Sequence, residues 1–275
     1  MWLILALVTA VFWAMGNVLI KKSVGSFPKS LVYFSSAVFF LILWTIYYLI
    51  FKGWQFDWLA LGIAILPPIS FIYVLTALSK ADASLVLALG AINPLVTAVL
   101  AVSFLGESLS LWQWGLVITV ILGVMIMSYS GKLKPGVWVW WGAGYGLLAG
   151  FINFISKFAI ERSNSMSYSL MIAVWQILIA VLFLTVEKQW GRIKNLVLKS
   201  GRSGLIGTGL FNVGSVAFFL ALGIGAVSLI MPVVNLSTPM ILVLAAWWLK
   251  EKTSLRQKIG AGIIIISVMA LSLMS

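Results

Sequence analysis

The chain has no cysteine and no histidine, and only six of its 275 residues are acidic. Each shortage removes a chemistry. Without cysteine there is no disulfide framework, no thiolate nucleophile and no zinc–thiolate site. Without histidine the usual proton shuttle near neutral pH is missing. The acidic residues, Asp57, Asp82, Glu107, Glu161, Glu187 and Glu251, all fall at expected helix ends or in connectors. None therefore offers the mid-membrane carboxylate that carries protons or pairs with organic cations. Charged residues of both signs make up 9% of the chain, against roughly a quarter in a soluble domain.

What takes their place is apolar. Hydrophobic residues reach 63%, more than a soluble fold of this length can hide. They come in blocks of the length that crosses a bilayer, roughly 20 residues. Continuous runs such as Val120–Met127 lack a period of two, which excludes barrel strands and leaves helices, the other structure that satisfies its backbone within lipid. The blocks predict an all-α polytopic membrane protein of about ten transmembrane helices, at 2–20, 31–51, 58–79, 83–105 and 111–129, then 137–160, 167–186, 203–222, 226–249 and 257–274. The first block has no basic region ahead of it, and Lys21-Lys22 follow it, so it reads as a retained helix and not a signal peptide. The longest connector, near 187–202, carries five basic residues and suggests an amphipathic surface helix.

The net charge of +12 would suggest nucleic acid in a soluble protein. Here the basic residues sit in short connectors beside apolar blocks, the positive-inside pattern. About 15 of the 18 Lys and Arg fall on one side of a ten-helix layout, which places both termini outside.

The two halves resemble each other. Ala77-Leu78 and Ser84-Leu85 recur as Ala221-Leu222 and Ser228-Leu229; Glu107, Ser110-Leu111 and Gln113 recur as Glu251, Ser254-Leu255 and Gln257. Asn17 and Lys21 recur as Asn153 and Lys157, and Pro94 recurs near Pro239. The common order points to duplication. With an odd number of helices per half, the second half enters the membrane from the opposite side. The expected architecture is two inverted five-helix repeats, 1–130 and 137–275, with substrate bound between them.

The run from Tyr73 to Leu78, then Ala83-Ser84, Asn93-Pro94, Leu105-Gly106-Glu107 and Gln113-Trp114-Gly115, resembles the EamA domain of the drug/metabolite transporter superfamily. The second half repeats the pattern in Ala221-Leu222, Ser228, Pro239, Glu251 and Ile259-Gly260, with Lys250 standing where the pattern prefers glycine and the second proline displaced by one. The resemblance implies two five-helix repeats around a central cavity, and alternating access, and it implies both termini inside, against the charge count. Members carry amino acids, sugars, nucleotide sugars, purines and toxic compounds, so it fixes no substrate.

Polar residues inside apolar blocks are the candidates for substrate contact, because a polar group facing lipid costs free energy and turns inward. They are Asn17, Asn93, Asn153, Asn212 and Asn235; the alternative role is interhelical glue. Among deep aromatics, Trp13, Tyr73, Tyr145 and Trp175 are candidates to line a cavity, or else to pack in the core. Pro94 and Pro239 are candidate hinges. Pro67-Pro68 should interrupt helix three, and Pro232 with Pro239 should interrupt helix nine. Glu107 and Glu251 read either as gating carboxylates or as helix caps, and Lys157 as an anion ligand or a snorkelling side chain. Gly142, Gly146 and Gly150 allow close helix packing, within a monomer or in a homodimer.

The composition calls for no cofactor or metal. The function it supports is transport of a small neutral, zwitterionic or anionic metabolite, with a lipid or lipid-linked sugar flippase as the alternative. An intramembrane enzyme needs a nucleophile with its base, or a metal site, for which the residues are missing. A purely structural subunit does not explain the paired amides and helix breaks. The absence of an organelle-targeting segment suggests a prokaryotic cytoplasmic membrane. The partners are the solute and membrane lipid.

Overall fold

A computed structural model describes residues 1–24, 27–80, 90, 92–128, 137–197 and 201–273, and all the regular structure among them is helical. The first half contains α1 (Trp2–Val24), α2 (Lys29–Phe51), α3 (Trp58–Ile63), α4 (Leu66–Lys80), α5 (Asn93–Phe104) and α6 (Leu111–Ser128). The second contains α7 (Val137–Arg162), α8 (Ser165–Val186), α9 (Arg202–Ile224), α10 (Val227–Val234), α11 (Ser237–Leu244), a π-helical turn at Ala245–Leu249, and α12 (Leu255–Leu273). Among the described residues, seven segments are long and apolar enough to cross a membrane, two of them composite: α3 with α4, and α10 with α11 and the π turn. Asn93–Phe104 and Leu111–Met127 are shorter apolar helices. The expected 130–136 linker and the repeat residues Ala83, Ser84 and Leu85 lie outside the described residues.

Pro67-Pro68, Pro94 and Pro239 act as helix starters, whereas Pro232 lies inside α10. α3 ends at Ile63 and α4 begins at Leu66, so the break precedes Pro67-Pro68. Those prolines occupy the first turn of α4, where a missing N–H costs no intrahelical bond. Pro94 likewise stands in the first turn of α5, with Ile92 as N-cap. Among the described residues it opens α5. In the ninth block the interruption falls at Asn235-Leu236, three residues after Pro232 and just before Pro239 in the first turn of α11. The 187–202 connector forms a 3-10 segment at Trp190–Leu196, too short to be the amphipathic helix its charges suggested.

Helix packing follows a rule of exchange between halves. α1 packs most extensively on α9, and its counterpart in the other half, α7, packs on α3 and α4. α2 lies on α8, α6 on α12 and α5 on α10; each is a pair that exchange maps onto itself. Small residues permit these approaches. A Cβ on Gly16 would come within 2.8 Å of the Gly207 carbonyl, and one on Gly123 within 2.9 Å of the Gly260 carbonyl. Gly150, from the α7 stripe, faces Val96 of α5 within the chain.

The same local devices recur in both halves. Ser110 and Gln113 form a capping box at the start of α6: the Ser110 N–H donates to Gln113 Oε1 at 2.8 Å, and the Gln113 N–H to Ser110 Oγ at 3.3 Å. Ser254 and Gln257 do the same at α12, at 2.8 and 3.2 Å. The repeated sequence is therefore repeated capping chemistry. Glu107 proves to be a cap. Its carboxylate accepts the N–H groups of Val227 at 2.8 Å and Ser228 at 3.0 Å, closing the N-terminus of α10 from the other half of the chain.

Candidate substrate cavity

Two helix pairs frame the centre. α1 and α9 run antiparallel: Thr9 donates to the Gly214 carbonyl at 3.2 Å, Gly16 meets Gly207, and Ser23 lies beside Gly204. The α3–α4 segment and α7 are also antiparallel. Arg162 is bonded to Asp57 at 2.9 Å towards one end, and Tyr73 donates to the Trp140 carbonyl at 3.3 Å towards the other.

Between the pairs lies a cavity of about 120 Å³, joined through shared walls to a smaller lobe of about 30 Å³. α1 contributes Trp13 and Asn17, α4 contributes Ser70 and Phe71, α7 contributes Tyr145 and Asn153, and α9 contributes Phe211 and Asn212. The smaller lobe reaches the break between α10 and α11, where Asn235, Ser237 and Thr238 line it. Asn93, at the start of α5, borders both lobes. The size is that of a small organic molecule; a cavity of roughly 150 Å³ holds benzene.

All five candidate asparagines are buried, none more than 8% exposed, and all line the cavity. Their bonding divides them. The Asn212 amide donates to the Thr208 carbonyl at 2.7 Å and to Ser36 Oγ and O at 3.0 and 3.1 Å, tying α9 to α2. Asn93 Oδ1 and Asn235 Nδ2 are buried without a hydrogen-bond partner among the described residues. Asn17 and Asn153 make no side-chain hydrogen bond to described residues either. Buried polar atoms are nearly always bonded; Asn93 Oδ1 and Asn235 Nδ2 lie on the cavity wall, and six other such atoms, among them Trp44 Nε1 and Ser169 Oγ, lie elsewhere among the described residues.

Aromatic rings form the opposite wall. The Phe211 ring stacks on Trp13 at 5.4 Å and on Phe71 at 5.3 Å, spanning α1, α9 and α4. Trp13 Nε1 donates to Ser215 Oγ at 3.1 Å, which fixes the indole. Among the described residues, no Asp, Glu, Lys or Arg lines either lobe.

Two of the nine candidates lie elsewhere. Trp175 donates its indole N–H to the Leu61 carbonyl at 2.8 Å, pinning α8 to α3. Tyr73 sits at the α4–α7 contact against Trp140. Gln176 was missed: it lines the cavity, 6% exposed, and donates to Ser36 Oγ at 3.3 Å. As a lone amide in an apolar block it carried the same signal as the asparagines.

The family model of the EamA-like transporters matches residues 1–129 and again 136–273. The chain belongs to this family. It is thus a multi-pass membrane transporter of the drug/metabolite transporter superfamily, and the family model matches it twice. No functionally curated protein matches it. Among solved structures, 29 chains are similar. One, titled only as the crystal structure of a protein, aligns over 100% of this chain and 99% of its own with a TM-score of 0.80 at 13% identity. At that identity the likeness concerns the EamA fold alone.

Proposed function

We propose that this EamA-family protein carries a small neutral, zwitterionic or anionic metabolite of amino acid, sugar or nucleotide-like kind by alternating access, in a prokaryotic cytoplasmic membrane. Two inverted five-helix repeats, ten spans in all, form the carrier, and the exchange rule in helix packing supports that reading. The observation that carries the function is the cavity between the repeats, where Asn93 Oδ1 and Asn235 Nδ2 have no hydrogen-bond partner among the described residues. Asn17 and Asn153 complete the polar surface, and Trp13 and Tyr145 shape it. Moving an ion into a site without a counter-charge is costly, so the neutral end of that range fits best. Pro94 and Pro239, each in the first turn after a helix break, are the proposed hinges.

The orientation follows from helix ends. Lys21, Lys22, Lys29 and Arg202 gather where α1 ends and α2 and α9 begin. That end is proposed to face the cytoplasm, with both termini outside.

The test is a thermal-shift screen of the detergent-purified protein against amino acids, sugars, nucleotides and organic cations, followed by uptake into vesicles. A ligand that binds only the folded state raises its melting temperature. Stabilisation and uptake by one neutral, zwitterionic or anionic class are expected; stabilisation by cations alone would overturn the assignment.

One feature bears on the alternative, a lipid or lipid-linked sugar flippase. A groove of about 540 Å³ lies between α1, α11 and α12, lined by Met15, Pro239, Met240 and Met269 among others. Its walls are apolar, and it shares no lining residue with the central cavity, so it offers no path for a headgroup. Uptake of a water-soluble solute would exclude the flippase.

A further inference from the structure

Two lysines make the same bond in the two halves. Lys21, in the last turn of α1, donates to the Leu78 carbonyl of α4 at 2.6 Å. Lys157 of α7 donates to the Leu222 carbonyl of α9 at 2.9 Å. Leu78 and Leu222 hold the same place, two residues before the ends of their helices at Lys80 and Ile224, and both are fully buried. The last carbonyls of a helix lack intrahelical donors and sit at the negative end of its dipole, which makes the Leu222 carbonyl, near the end of α9, a ready acceptor for an ammonium group. Bonds with a charged donor are roughly twice as strong as neutral ones.

The placement of the bonds matters more than their strength. Lys21 and Leu78 belong to different helix pairs: α1 to the α1/α9 pair, α4 to the α3–α4/α7 pair. Lys157 and Leu222 join the same two pairs in the opposite sense. Because each pair is antiparallel, the bonds lie at opposite ends of the bundle. Lys21 is at the end where α1 and α4 finish, and Lys157 is where α7 and α9 finish. The cavity lies between them. At the second end Glu161 stands 3.3 Å from Lys157 Nζ, one helical turn along α7, and would hold the ammonium group once the Leu222 carbonyl moves away. Snorkelling alone does not account for an ammonium that reaches a buried carbonyl on the opposite helix pair.

We propose that Lys21 and Lys157 are the gate residues of the transport cycle, each latching one end of the cavity by bridging the two helix pairs. This rests on the alternating-access reading above. Opening at either face breaks the latch at that face and leaves the other made.

The chain has no cysteine, so one introduced thiol reports without background. Ser70→Cys places it on the cavity wall. In oriented membranes, its labelling by a membrane-impermeant maleimide is measured from each face, in the parent and with Lys21→Met or Lys157→Met. Lys21→Met should speed labelling from the Lys21 face by roughly tenfold, about 1.4 kcal/mol in the gate equilibrium, and slow it or leave it unchanged from the other. Lys157→Met should do the mirror image. Lys21→Arg and Lys157→Arg, which keep a charged donor, should stay near the parent rates and guard against a misfolded Met variant. Labelling from both faces at rates that no Lys variant alters, or that both Met variants raise equally at both faces, would overturn the latch and leave the carrier reading standing. A thiol that reacts from neither face in any variant would overturn both.

Discussion

Gly106 and Lys250 hold the same left-handed backbone conformation, with φ of 68° and 57°. Each precedes a glutamate whose N–H reaches back to an alanine at the same repeat position. Glu107 donates to the Ala101 carbonyl at 3.4 Å, and Glu251 to the Ala245 carbonyl at 3.2 Å. The turn demands a positive φ in both halves, but only the first half meets it with the residue that adopts it freely. A non-glycine residue there costs about 1–2 kcal/mol, partly offset by the entropy that glycine loses on folding. Lys250→Gly should therefore stabilise the protein by about 0.5–1 kcal/mol, and Gly106→Lys should destabilise it by a similar amount. Melting curves in detergent measure both; a lower melting temperature for Lys250→Gly would show that the lysine side chain outweighs the strain.

Glu107 ties the halves together through its bonds to Val227 and Ser228. Glu107→Ala leaves two N–H groups at the start of α10 without their acceptor, at a cost of about 1–3 kcal/mol. Glu107→Gln, which keeps one acceptor oxygen, should lose roughly half as much. A Glu107→Ala protein as stable as the parent would remove the cap from the account; loss of transport without loss of stability would point to gating instead.

These devices show which features can be read from sequence and which cannot. Apolar blocks, prolines and capping residues are local, so the helices and both capping boxes are visible in one dimension. Asn17 and Asn153 are visible for the same reason, since a lone amide in an apolar block has to turn inward. Facing is different. Lipid and protein core are both apolar, so the spans have no polar side to mark their outward face. Nothing local separates Trp13, which lines the cavity, from Trp175, which pins α8 to α3. The breaks were legible from the prolines, but their position was not, because a proline that starts a helix moves the break to the residues before it. The lysine bonds to Leu78 and Leu222 depend on which helices pair, and no spacing within one block encodes that.

Outside the membrane, the Arg162 guanidinium holds the Asp57 carboxyl below its usual range by hydrogen bonding, and the Ala60 N–H adds to the effect. A group whose pKa is lowered by folding stabilises the fold above its unfolded value, about 4, and that contribution drains away as pH falls through the lowered one. Melting temperature should thus decline on acidification below pH of about 4, and the decline should be shallower in Asp57→Asn. Identical acid profiles for the two proteins would mean that the pair is too well screened by solvent to matter.

Asn17 and Asn153 offer the sharpest separation of binding from folding. Neither amide bonds another described residue, so replacing both with leucine removes no hydrogen bond to a described residue, and stability should change by about 1 kcal/mol or less. Asn212 is the contrast, because Asn212→Leu breaks its bonds to Ser36 and Thr208 and should cost about 1–3 kcal/mol. If the free amides hold the solute, the double variant loses at least two hydrogen bonds to it. At about 1 kcal/mol each that is an uptake deficit of tenfold or more. Uptake in vesicles, with melting temperature recorded beside it, checks both halves of the claim. Parental uptake by a correctly inserted double variant would remove these residues from the substrate path, and a large loss of stability would assign them to interhelical packing.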